Sequence, residues 1–131
     1  MKQLCLALAM GLAAGAAPAQ DAEIGGRLFF TYCGSCHGDD ARGGGVMTAI
    51  MNVAAPDLTQ LADGNGGVFP RTRVVYRIDG RDPLAAHGGD MPVFGDIFEG
   101  TMMPMKAETG QPILTGQGIV DIIAWLESVQ R

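Results

Sequence analysis

The clearest hydrophobic pattern lies near the end of the chain. Ile119, Ile122, Ile123, Leu126 and Val129 recur at i, i+3, i+4 and i+7 spacing. That stripe predicts an amphipathic helix over residues 116–130, with Thr115 as its cap. A second helix is predicted over residues 22–33, where Ile24, Leu28 and Tyr32 repeat at helical intervals and Gly25 and Phe29 do the same. Asp21 stands where a cap belongs, and Glu23 suits the positive end of a helix dipole. Between these two segments no run alternates in the manner of a strand, and nothing repeats. Residues 56–62 and 70–78 read as short helices with a proline in the first turn. Glycine clusters at 43–45 and 63–67 read as turns. The pattern predicts an all-α fold with a helix at each end and long connections, and such connections need a structural reason.

Residues 1–19 stand apart from this pattern. Lys2 gives a basic start, residues 4–12 are apolar apart from Gly11, and Ala17-Pro18-Ala19 has the small-x-small shape of a cleavage site. The apolar run is shorter than the roughly 20 residues that span a bilayer. Cys5 lies too early to be a lipidated cleavage residue. Against a short anchor or a buried helix, the expectation is a signal peptide, cleaved after Ala19. Residues 20–131 then form one exported domain without a membrane span. Cleavage removes one of the 9 basic residues and none of the 14 acidic ones, so the domain is more acidic than the whole chain at −5. It lacks the basic face that nucleic acid requires. It also carries most of the chain's 20 glycines, and small glycine-rich domains often need a disulfide, metal or cofactor to hold them.

Of the 3 cysteines, Cys5 leaves with the leader, and the other two stand in Cys33-Gly34-Ser35-Cys36-His37. Two thiols on one tight turn, followed at once by an imidazole, form the pattern of covalent haem attachment. The thiols reach the two vinyl groups, and the bonds so formed fix the ring beside His37, which projects at the iron. Three rival readings fit less well. A disulfide at this spacing is strained and leaves His37 unexplained. A thioredoxin-like redox pair wants a preceding strand, whereas a helix is predicted here. A zinc site needs four ligands, of which only Cys33, Cys36, His37 and His87 are at hand.

With these residues the chain resembles the class I c-type cytochromes over essentially all of residues 20–131. The resemblance implies their fold: N- and C-terminal helices packed crosswise, with short helices and long loops around one haem. It also implies that Gly25 and Phe29, eight and four residues before Cys33, pack against an aromatic on the final helix, a place that Trp125 fits. Pro56 in Ala55-Pro56-Asp57-Leu58 looks like the family's proline, whose carbonyl holds the second nitrogen of the haem histidine and raises its basicity. His37 is then the proximal ligand of the iron, and haem attachment places the protein in the periplasm.

The sixth ligand must be chosen among 8 methionines. Met91-Pro92-Val93-Phe94-Gly95 looks like the family's ligand segment, and a soft thioether there would favour Fe(II). Met103, or its neighbour Met102, competes as a second Met-Pro nearer the last helix. His87 would give a bis-histidine haem, and an open site is the remaining reading. Met47, Met51 and most of the 102–105 cluster are expected as core filler. Residues 97–114 have no counterpart in compact relatives. They read as a loop over the haem edge or at a docking surface, with Cu(I) binding by the methionines as a further reading. Arg71, Arg73, Arg77 and Arg81 read as a solvated face, as partners of the haem propionates, or as a docking patch.

The expected function is that of a periplasmic single-electron carrier, not an enzyme. It would hold one covalent haem c on Cys33 and Cys36, ligated by His37 and Met91, with other redox proteins as partners. The alternatives are a haem subunit of a periplasmic oxidoreductase, or a haem enzyme or gas sensor with an open sixth site.

Overall fold

The computed structural model describes residues 20–83 and 91–131; the expected signal peptide and His87 lie outside the described residues. Helix α1 (Ala22–Tyr32) starts as its sequence predicts. The Asp21 carboxylate accepts from the backbone N–H groups of Glu23 at 2.9 Å and Ile24 at 3.0 Å, a cap worth about 1 kcal/mol. Helix α4 (Gln117–Ser128) is capped by Gly116 without a side-chain bond. The expected cap, Thr115, belongs instead to a strand, with its hydroxyl 3.4 Å from Asp79.

Helices α1 and α4 pack together and carry the largest buried side chains of the described residues, Phe29, Ile119, Ile122, Ile123 and Leu126 among them. A side chain at Gly25 would strike the Asp121 carbonyl, and one at Gly26 would meet the Trp125 ring at 2.9 Å. Gly25 therefore lets the backbones approach closely, and Gly26 makes room for the Trp125 ring. Into this contact Phe29 brings its ring, 4.4 Å from that of Trp125. Ile119, Ile122, Ile123 and Leu126 are all buried beneath it.

The middle of the chain differs from its expected reading in three places. The helix expected over 56–62 is only a 3₁₀ turn, Leu58–Gln60. Here the Asp57 carboxylate takes the N–H and hydroxyl of Thr59 at 2.9 and 2.6 Å, a local arrangement that competes with helix. The helix expected over 70–78 forms as α3 (Arg71–Asp79), with Pro70 just before its first turn and Gly80 ending it at φ 86°. A four-residue helix, α2 (Gly34–His37), follows α1 directly.

The third difference is a hairpin where only a loop was expected. Strands β1 (Met102–Lys106) and β2 (Pro112–Gly116) pair antiparallel, with Met103 opposite Thr115 and Met105 opposite Ile113. Met105, Ile113 and Thr115 are buried, whereas Met102, Pro104 and Leu114 face outward. The alternation is obscured in the sequence because both faces carry apolar residues. The hairpin is bound to α3: Thr72 donates from backbone and hydroxyl to Glu108 at 3.1 and 3.0 Å. Arg81 donates to the Leu114 carbonyl at 3.1 Å. An α-helical frame with this one small sheet positions everything described next.

Candidate functional site

The end of α1 delivers the two cysteines and the histidine in a single turn. The N–H groups of Cys36 and His37 both donate to the Cys33 carbonyl, at 3.1 and 2.9 Å. Gly38, at φ 74°, then turns the chain away. The three glycines at 43–45 fold back over this turn. Gly43 donates to the His37 carbonyl at 2.7 Å and Gly45 to that of Cys36 at 3.1 Å. A side chain at Gly45 would strike the Ser35 carbonyl, and one at Gly43 would meet the Ala55 carbonyl at 2.6 Å. What reads in the sequence as a loose turn is thus a fitted cradle. It lies between the cysteine–histidine turn and the Pro56 segment.

These residues face a cavity of about 670 Å³, within the usual range for small-molecule and cofactor sites. Cys33, Cys36, His37, Pro56 and Met91 all line it. Its walls are largely apolar, with Leu58, Leu61, Val74 and Phe94 among them. Met91 is placed by the residues that follow it. The Phe94 N–H donates to the Ile78 carbonyl at 2.8 Å, and Gly95 lies so close to Asp79 that a side chain there would meet its carbonyl at 2.7 Å. The phenylalanine and glycine of the segment therefore anchor Met91 to the end of α3.

Electrostatics separate this site from the rival readings. The cysteines are free thiols, and burial, with Cys36 adding to it, pushes the Cys33 thiol up to about 11. A reactive redox cysteine requires the opposite shift. Among the described residues no three His, Cys, Asp or Glu side chains converge as a metal-binding group. His37 is buried, which holds its imidazole below the ordinary range, and the Pro56 carbonyl beside it works against that lowering. The approach falls short of a formed hydrogen bond, so Nδ1 is a buried nitrogen without a partner. A buried imidazole, two unpaired thiols and an apolar cavity fit a covalently held haem.

The other expected residues divide. Met47 and Met51, expected as core filler, line the cavity, whereas Met105 is buried in the core and Met102 is exposed. None of Met102, Met103 and Met105 reaches the cavity wall. The arginine cluster splits in two. Arg71 pairs with Glu127 at 2.5 Å and Arg81 with Asp79 at 2.5 Å, both on the side of the hairpin and α4. Arg73 and Arg77 line the cavity, Arg77 lying 3.5 Å from Asp82. Their spacing on one helical face was legible in the sequence. The glycine cradle was not, because its role depends on contacts with distant backbone.

Comparison with known proteins agrees with this geometry. The alcohol dehydrogenase (quinone), dehydrogenase subunit, of Komagataeibacter europaeus is 35% identical over 80 residues, a stretch that covers 61% of this chain and 8% of that protein. No solved structure matches. The family model for cytochrome c matches residues 22–130, from the first turn of α1 to the residue before last. The chain therefore belongs to the cytochrome c family, with the covalent haem c and the electron-transfer role that membership implies.

Proposed function

We propose that the protein is a single-electron carrier of the periplasm, exported by residues 1–19 and cleaved after Ala19. It would hold one haem c, bound through Cys33 and Cys36 with His37 and Met91 as axial ligands. The observation that carries this reading is the convergence of Cys33, Cys36, His37 and Met91 on one apolar cavity. Bound there, the haem supplies an iron that gains or loses one electron. The chain supplies the rest. Cys33 and Cys36 fix the ring, Pro56 stands beside the second nitrogen of His37, and the apolar walls exclude water so that little reorganises on electron transfer. Arg73 and Arg77 offer guanidinium groups to the propionates.

A second reading, a haem subunit bound to a catalytic partner, draws on two observations. The Komagataeibacter europaeus protein is a dehydrogenase subunit far larger than the matched stretch. The outer face of the hairpin exposes Met102, Pro104 and Leu114, an apolar strip of the sort that partners cover.

Covalent attachment is tested on the exported protein after denaturation. The parent chain is expected to retain a haem mass, and Cys33→Ala or Cys36→Ala to lose most of it. Haem that extracts completely from the parent into acidic organic solvent would overturn the reading.

A further inference from the structure

The Pro56 segment is held from behind by the residues that follow α4. Gln130 accepts from the Ala62 N–H at 2.9 Å through its side-chain oxygen, and its amide donates to the Leu58 carbonyl at 2.8 Å. Arg131 donates from its guanidinium to the Thr59 hydroxyl at 2.7 Å and to the Asp57 carboxylate at 2.9 Å. Its backbone N–H adds a bond to the Thr59 carbonyl at 3.1 Å. Five hydrogen bonds thus converge on residues 57–62, directly after Pro56. Thr59, at the middle of them, is 2% exposed. On the opposite side the Leu58 N–H donates to the Ala41 carbonyl at 2.8 Å, tying the same segment to the glycine cradle.

From this geometry we infer that Gln130 and Arg131 are positioning residues for the axial histidine. They act through the Pro56 segment and set how its carbonyl meets His37 Nδ1. The inference rests on the proposed ligation by His37. The structure leaves Nδ1 just short of a hydrogen bond with this carbonyl; in the haem-loaded protein a carbonyl held within reach would accept from Nδ1, make the imidazole a stronger donor and favour Fe(III). If the clamp is released, the carbonyl drifts, the imidazole donates less, and Fe(II) is favoured. Nearby surface contacts of α4 lack this route: the Arg71–Glu127 pair touches neither Pro56 nor its neighbours in the turn.

The test uses the haem-loaded protein. Arg131→Gln combined with Gln130→Ala is expected to raise the reduction potential and to move the paramagnetically shifted ring resonances of His37. Arg131→Lys, which keeps the charge facing Asp57, is expected to recover part of the shift. Arg71→Gln serves as the stability control and is expected to lower the melting temperature without moving the potential. A clamp variant that loses stability as the control does, with potential and histidine resonances unchanged, overturns the positioning role. If the double variant does not fold, Arg131→Gln alone removes the guanidinium bonds to Asp57 and Thr59 while leaving Gln130 and the Asp57–Thr59 turn in place, and is expected to move both readouts in the same direction. A parent protein without any shifted histidine resonances would overturn the ligation itself, and the clamp with it.

Discussion

At the scale of single residues the decisive choice is among methionines. Among the described residues, Met47, Met51 and Met91 reach the cavity. Only Met91 sits in a segment whose next residues are pinned to α3 by a backbone hydrogen bond and a close glycine contact. A ligand must be held, so Met91 is the expected one. Ferric parent protein should show the weak sulfur-to-iron band at the near-infrared edge, and Met91→Ala should abolish it. The same change should admit carbon monoxide and lower the potential, because a soft ligand favouring Fe(II) has gone. Met47→Ala, Met51→Ala, Met103→Ala and His87→Ala should each leave the band in place. Loss of the band in one of these instead of Met91→Ala would give the ligand role to that residue. A parent protein that binds carbon monoxide unaided would mean an open site. The attachment turn was legible in the sequence because its chemistry is local: five consecutive residues carry it. Met47 and Met51 were not, since they meet the cavity only after the chain has folded back along the glycine cradle.

At the scale of elements the contact between α1 and α4 sets the frame, and it depends on an absence of side chain at Gly25. A methyl group there would strike backbone, which has no rotamer to move into. Gly25→Ala should therefore force the helices apart and destabilise the holoprotein by about 3 kcal/mol, the upper part of the range for overpacked sites. Gly64→Ala is the matched control, since nothing lies within 4 Å of its added carbon. It should change stability by no more than about 0.5 kcal/mol. Chemical denaturation of the three proteins measures both, and equal midpoints would refute the close-packing argument. Both terminal helices were legible from spacing because each buries one face. The hairpin was hidden for the converse reason. Its outward Met102, Pro104 and Leu114 are as apolar as its inward Met103, Met105 and Ile113, so polarity does not alternate even though burial does. The 56–62 segment misled in another way, since Asp57 gives its backbone a local partner that a helix would have to displace.

At the scale of the whole molecule the question is whether this chain folds without its cofactor. The cavity of about 670 Å³ lies among α1, α2, α3 and the Pro56 and Met91 segments, where a domain of this size would otherwise place packed side chains. Unfilled volume in a core costs about 24 cal/mol per Å³. Even a third of that rate, allowing for an open mouth and partial collapse, is about 5 kcal/mol, the lower bound of a typical domain's stability. Haem packed into this cavity in the native state would therefore supply much of the stability, although its thioethers keep it on the unfolded chain. The variant combining Cys33→Ala with Cys36→Ala, prepared free of haem, should show weak helical circular dichroism and melt without a cooperative transition. The parent holoprotein should melt sharply. The contact between α1 and α4 does not depend on the cavity, so the residual helix signal of the haem-free variant should fall further when Gly25→Ala is added. A haem-free chain that melts as sharply as the holoprotein would show that the cavity closes on itself, and that the two terminal helices and the hairpin suffice to hold the fold.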